Sequence, residues 1–350
     1  MLYTRSDSPW WLRNLPVMYQ LGDIVALDIE LSSRCNAVCP LCPRNFFGYP
    51  ENRGYTEHDM TLAEAQHILK PDFLRQLKSV WINGNFGDML MNPDTVDIIK
   101  YIKQHSSAVI DISTNGGARN CEFWQDLAKL NVTVHFCIDG LEDTHSIYRQ
   151  NTVYSVVMAN AQAFIAAGGR AIWKMIRFDH NAHQIETAKN LAKQLGFMYH
   201  NLVDHGRSNS PVFNKKKQLT RIIGRVLESN FEVLQQTRLD PRIIIPTRSA
   251  TAITCKAQTK KELYISSTGD VYPCCFMGYY PDTFEHGMNT QYGLVNKELA
   301  PLAKNNNALQ HSLEECINWF NSITPTWESK PLRICNDSCG TDSPYTALPT

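Results

Sequence analysis

Apolar residues in the first two-thirds of the chain fall in short alternating runs separated by stretches of helical period. Runs rich in Val, Ile and aromatic residues, bounded by Gly, Asn or Asp, predict strands at 24–30, 79–83, 109–113, 132–138, 171–178 and 197–203. Helices fit between them. Thr61 and Glu64 make a capping box ahead of Ala65, Ile68 and Leu69. Asn92-Pro93 places a cap and an N1 proline before Val96, Ile99 and Ile102. Asn181 caps a helix with Ile185, Ala188, Leu191, Ala192 and Leu195 on one face, closed by Gly196. Such alternation predicts parallel βα units, hence an open α/β sheet or a barrel. Six strands rather than eight favour a partial (β/α)6 TIM-like barrel.

Residues 206–250 break the pattern. Within them, 215–236 reads as a helix and 240–251 as a proline-containing connection. Beyond, 263–266 and 271–273 flank Ser267-Thr268-Gly269-Asp270, a hairpin signal. Leu313, Cys316, Ile317 and Phe320 share a helical face, which makes Cys316 a core residue. The expected organisation is an N-terminal extension (1–22), the barrel (23–205), a helical linker (206–251), a small α+β domain (252–342) and a tail (343–350).

Composition narrows the classes. With 43% hydrophobic and 19% charged residues, the chain of 350 residues is not a disordered one. Thirty-four basic residues offset thirty-four acidic ones, so no general field draws it to nucleic acid or an acidic membrane. No apolar run approaches a membrane span. Residues 1–21 contain Arg5, Asp7, Arg13 and two prolines, unlike a secretory signal. The expected compartment is therefore the cytoplasm, where clustered cysteines hold metal or do chemistry more often than they pair. There are eleven, an odd number.

Cys35, Cys39 and Cys42 are spaced C-x3-C-x2-C in a loop directly after the first strand. Three thiolates can hold three irons of a [4Fe–4S] cube and leave the fourth open, whereas structural zinc wants four closed ligands. With these residues the sequence resembles the radical S-adenosylmethionine (SAM) superfamily, over roughly 24–205. Leu41 stands where an aromatic residue near the adenine is more usual. Gly87-Asp88-Met89-Leu90-Met91-Asn92-Pro93 looks like the superfamily's Gly-Gly-Glu motif in its Gly-Glu-Pro-Leu-Leu-Asn-Pro form. Asp88 then replaces the glutamate that binds the SAM ammonium and is one methylene shorter. Thr114-Asn115-Gly116 follows the third strand. Cys137-Ile138-Asp139-Gly140 follows the fourth and looks like Ser-Ile-Asp-Gly, with Cys137 for the serine. Arg149 matches an arginine that pairs with the SAM carboxylate, and Asn181 another cofactor-contacting position. The resemblance implies reductive cleavage of SAM to a 5′-deoxyadenosyl radical that abstracts hydrogen from a substrate.

Cys255, Cys274, Cys335 and Cys339 form a second group, C-x18-C then C-x3-C, with Gly269 in the hairpin between the first two. Four cysteines suit a fully ligated [4Fe–4S] cluster or a structural zinc. Residues 252–342 resemble the shortened auxiliary-cluster domain called twitch, related to SPASM, which implies one auxiliary [4Fe–4S] cluster. Cys275 adjoins Cys274, and either could be the ligand.

Lys174, Arg177, Asp204 and His205 are strand-end candidates to anchor substrate or take a proton. Relatives of this kind modify peptides or oxidise small molecules, and draw electrons from a flavodoxin or ferredoxin. The 34 residues before Cys35 are too few for a leader-peptide recognition domain. A non-catalytic iron–sulfur carrier and a zinc-stabilised binding module are the competing classes.

Overall fold

A computed structural model describes residues 20–42, 44–46, 48–50, 56–203, 210–214, 216, 218–224, 252–279, 306–321 and 332–340. Its strands are β1 (Ala26–Ile29), β2 (Asn45–Phe46), β3 (Tyr49–Pro50), β4 (Ser79–Ile82), β5 (Val109–Thr114), β6 (Thr133–Cys137), β7 (Arg170–Ile176), β8 (His200–Val203), β9 (Ser210–Phe213), β10 (Leu219–Ile223), β11 (Glu262–Ile265) and β12 (Val271–Tyr272). The helices are α1 (Leu62–Ile68), α2 (Pro71–Gln76), α3 (Thr95–His105), α4 (Cys121–Ala128), α5 (His145–Tyr148), α6 (Tyr154–Ala166), α7 (Ile185–Gln194), α8 (Lys256–Lys260), α9 (Leu313–Asn321) and α10 (Arg333–Cys339). Eight strands make one sheet, ordered β12-β11-β1-β4-β5-β6-β7-β8 and parallel except at β12.

Alternation along the strands sorts the two faces. Leu27 and Ile29, Val80 and Ile82, Ile110 and Ile112, Val134 and Phe136, and Trp173 and Met175 enter one apolar core with Ile68, Leu74, Ile99, Trp124, Phe164 and Ala188 from the helices. The opposite face therefore carries Asp28 and Glu30, Trp81, Asp111 and Ser113, His135 and Cys137, and Lys174. Helices on one side and polar groups on the other leave that second face available for chemistry.

All six strands expected from periodicity are present, and so is the capping box: Glu64 N–H donates to Thr61 Oγ1 at 3.2 Å and Thr61 N–H to Glu64 Oε2 at 2.8 Å. Four expectations need correction. The main sheet is not limited to the six expected strands: β11 of the hairpin β11–β12 pairs with β1 and extends it to eight. The helix expected over 215–236 begins instead as β10, paired with β9; 225–236 and the connection 240–251 lie outside the described residues. α3 starts at Thr95 with Asp94 as N-cap: Asn92 donates its amide to Leu31 O and Met60 O and accepts from Asp94 N–H at 2.7 Å, which holds Asn92-Pro93 ahead of the helix. Asn181 precedes a 3-10 turn (Ala182–Gln184) and makes no side-chain cap. Gly196 closes α7 with φ +84°, as expected. Cys316 is fully buried, and among the described residues no helix is long and apolar enough to cross a membrane.

Candidate metal and cofactor site

The first cysteine loop leaves the C-terminal end of β1 and folds on itself. Cys42 N–H donates to Cys39 O at 3.1 Å, and Ala37 N–H to Cys35 Sγ at 3.4 Å. Arg44 clamps the loop through Cys35 O (3.1 Å) and Ala37 O (2.6 Å). Asn36 ties it to the end of β5: its Nδ2 donates to Gly117 O at 3.3 Å and its Oδ1 accepts from Asn115 Nδ2 at 2.9 Å. Two further donors face sulfur, Asn115 Nδ2 at 3.6 Å from Cys35 Sγ and Arg149 Nη1 at 3.8 Å from Cys39 Sγ. Burial, then the neighbouring Asp88 and Cys39 charges, hold the Cys35 thiol well above its ordinary range; burial pushes Cys39 up to about 11, against the pull of Arg149. Bound iron would reverse that balance. Three close thiols ringed by N–H donors fit a cluster that takes three thiolates.

The turn after β4 approaches this loop so closely that only glycine serves. A Cβ on Gly87 would sit 1.9 Å from Ser32 O, and one on Gly84 would sit 2.1 Å from Gly87 O. Glu30 anchors the turn, accepting from Phe86 N–H and Gly87 N–H at 2.8 Å each. Asp88 is thereby carried to the end of β5. Its carboxylate accepts from Thr114 Oγ1 (2.8 Å), Asn115 N–H (2.8 Å), Asn115 Nδ2 (2.8 Å) and Leu90 N–H (3.1 Å). Burial still raises its pKa, so a cationic group beside it would be stabilised. A SAM ammonium fits that environment, although it would join a carboxylate already well supplied with donors.

At the end of β6, Cys137 is buried, with its Sγ 3.5 Å from Ser113 Oγ. Asp139, fully buried, accepts from Arg149 Nε and from Ile176 N–H, both at 2.6 Å. This fixes the guanidinium beside Cys39. Asn181 is also fully buried, but its amide is spent on Phe178 N–H, Asp139 O and Ile176 O, which locks the ends of β6 and β7 together. Leu41 is half-buried and packs against the cluster of Ala37, Cys39, Tyr148 and Phe178.

That small apolar cluster also holds Val212 and Ile223, so the β9–β10 hairpin lies against the cysteine loop. Sequence periodicity missed this cover. It also missed Arg44 and Glu30, which bind backbone groups through their side chains, and His180. Stacked on Phe178 at 5.2 Å, His180 has both ring nitrogens buried without a partner. Burial, helped by Arg221, lowers its pKa to about 4.

The second cysteine group lines one cavity. Cys255, Cys274, Cys335 and Cys339 all face it, together with Ser338 and apolar side chains including Phe276 and Ile334. Thr254 N–H donates to Cys339 O at 3.0 Å, joining the two segments that bear these residues. Burial and the other three nearby thiols, Cys275, Cys255 and Cys335, hold the Cys274 thiol well above its usual range. Cys275 does not line the cavity; its thiol bonds to Asp28 instead. Among the described residues no three His, Cys, Asp or Glu converge as a single-ion site requires.

Lys174 lies on the open face of β7 beside Cys137 in register, and Arg177 just beyond the strand end. Asp204 and His205 lie outside the described residues. The structure thus gathers Cys35, Cys39, Cys42, Asp88, Thr114, Asn115, Asp139 and Arg149 at one end of the sheet, and the other four cysteines around a cavity.

Taken together, the fold is an α/β one with a three-cysteine loop at the C-terminal ends of parallel strands. Solved structures share this α/β fold. SuiB of Streptococcus suis bound to S-adenosylmethionine superposes with TM-score 0.53 and 15% identity, over 89% of this chain and 67% of SuiB. Native anSMEcpe with bound AdoMet gives TM-score 0.55 and 14% identity, over 92% of this chain and 94% of that one. These enzymes have also been solved with peptides, anSMEcpe with Cp18Cys and SuiB with its precursor peptide SuiA. The sequence itself matches no protein family and no curated protein.

Proposed function

We propose that the protein is a radical SAM enzyme carrying one SAM-binding [4Fe–4S] cluster on Cys35, Cys39 and Cys42 and one auxiliary [4Fe–4S] cluster on Cys255, Cys274, Cys335 and Cys339. The observation that carries this reading is the packing of the three-cysteine loop directly on Asp88, Asn115 and Arg149. Bound iron–sulfur and SAM would supply a one-electron cleavage that yields a carbon radical able to take hydrogen from substrate. The chain's own residues orient that chemistry. Asp88 offers a buried carboxylate to the ammonium. Arg149, held by Asp139, offers a cation to the carboxylate. The β9–β10 hairpin helps to exclude water from the cysteine loop.

The substrate is a peptide or a small molecule held against the open face, where Lys174 and Arg177 stand at the strand ends. The peptides bound to anSMEcpe and SuiB support the peptide class, and a flavodoxin or ferredoxin is the electron donor this chemistry calls for. With the auxiliary cluster as electron acceptor, the outcome is a net oxidation or a cross-link.

The test is anaerobic reconstitution, reduction with dithionite and incubation with SAM. Methionine and 5′-deoxyadenosine should form in equal amounts, from protein holding about eight irons and eight sulfides. Intact clusters that yield no 5′-deoxyadenosine would make the protein an electron carrier on the same scaffold. Zinc without sulfide would make it a binding module.

A further inference from the structure

Among the described residues, the cavity lined by the second cysteine group contains one hydroxyl. Ser338 is 1% exposed and sits on α10 between Cys335 and Cys339. Three and four residues apart, Cys335, Ser338 and Cys339 share one helical face. The Ser338 hydroxyl has no hydrogen-bond partner. A helical serine commonly returns its proton to the carbonyl one turn back. Here that acceptor would be Ile334 O, and the bond is not made. A buried hydroxyl is rarely left unpaired, and an orphan of this kind points to a group that completes the site. The side chains sharing the cavity are thiols and apolar groups, so the missing acceptor is one that thiols hold.

We propose that Ser338 donates a hydrogen bond to a sulfur of the cluster held by Cys255, Cys274, Cys335 and Cys339, and that this bond raises the cluster's reduction potential. The inference rests on the auxiliary-cluster reading above. Reduction adds negative charge to the cluster, and a donor aimed at its sulfur stabilises that charge; such bonds are among the determinants of cluster potential. A centre tuned upward is suited to accept an electron, which a purely structural centre does not need.

The experiment uses the full chain, reconstituted anaerobically, in wild-type, Ser338→Ala and Ser338→Thr forms. Iron is counted, and each sample is titrated with dithionite and mediators while EPR spectra are recorded. Added SAM perturbs the open-iron centre and so identifies the other one. The expected result is an unchanged iron content near eight per chain, a lower midpoint for the SAM-insensitive centre in Ser338→Ala, and a midpoint near wild type in Ser338→Thr. The SAM-sensitive centre should keep its midpoint in all three. An unmoved midpoint with full iron overturns the proposal. So does a threonine variant that shifts as alanine does, since side-chain volume would then be the cause. Loss of about four irons in Ser338→Ala would make the serine part of what retains the cluster and would overturn the tuning role. Wild-type protein with about four irons in total would remove the auxiliary-cluster reading itself, an outcome the iron count separates from the others.

Discussion

Glu30 provides a sharp energetic test of the site's construction. It is 1% exposed, and its Oε1 accepts from Phe86 N–H and Gly87 N–H at 2.8 Å each, while the Tyr264 hydroxyl lies 3.3 Å from Oε2. Burial outweighs these bonds and raises its carboxyl from the ordinary 4.5 to about 7. The folded protein therefore holds a proton that the unfolded chain releases. The resulting stability is fully present below pH 4.5 and is lost as pH rises through about 7. That interval, at about 1.4 kcal/mol per pH unit, amounts to roughly 3 kcal/mol. Glu30→Gln keeps an oxygen for the two N–H groups and cannot ionise. Relative to wild type, the variant should gain under about 1 kcal/mol near pH 5 and roughly 3 kcal/mol by pH 8. Urea unfolding of both apo proteins at one-unit steps from pH 5 to 8 measures this. Every other titrating group is common to the pair and cancels in the difference, except Asp28, whose pKa the Glu30 charge helps to raise. A difference flat with pH would refute the reasoning. A wild type that gains on the variant as pH rises would show that the N–H donors, not burial, control the carboxyl.

The remaining predictions concern the thiols and their supports. Cys274→Ser should lower iron from about eight to about four per chain, whereas Cys275→Ser should leave it near eight, because only Cys274 faces the cavity; equal losses would contradict that assignment. Arg44→Gln removes the donors to Cys35 O and Ala37 O and should cost about four irons, those of the SAM-sensitive centre, with the other EPR signal retained. Asp139→Asn leaves the buried Arg149 guanidinium without its anion and should lower unfolding stability by about 3–5 kcal/mol. A loss under about 1 kcal/mol in urea denaturation would mean that the ion pair only balances its own desolvation.

What the sequence disclosed was local. Strands β1, β4, β5, β6, β7 and β8 appear in the period-two runs, and the Thr61–Glu64 cap in two residue identities three apart. What it concealed depends on partners far along the chain. β11 joins β1 through backbone bonds that leave no periodic trace, with Ala26 opposite Glu262. The Lys-rich start of 215–236 reads as a helix locally, yet Ile223 and Val212 are drawn onto Ala37 and Cys39, and that contact selects a hairpin. Asn92 and Asn181 have the identity of cap residues, but the same amide serves carbonyls contributed by other segments. The thiol spacing was legible because cluster chemistry demands it; the groups that hold the thiol loop, such as Arg44, carry no spacing rule.

Strand direction fixes where the two thiol groups stand. The Cys35–Cys42 loop follows the C-terminal end of β1. Cys255 precedes α8 and β11, and Cys274 follows β12, whose antiparallel pairing of Tyr272 with Tyr264 returns the chain to the Glu262 end. β11 runs parallel to β1, so the first loop follows the C-terminal end of this strand pair, while Cys275 O, next to Cys274, accepts from Asn85 Nδ2 at 2.7 Å in the turn after β4. Buried Asp28, Glu30 and Tyr264 stand on this strand pair or at its end. Burial, reinforced at Asp28 by the neighbouring Glu262 and Glu30 charges, favours the protonated form of both carboxyls. Two ionised carboxylates there would oppose any negative charge added at the clusters proposed above, and two neutral acids would not. The burial that makes Glu30 a liability for stability above pH 7 is thus the same property that keeps its carboxyl uncharged below it.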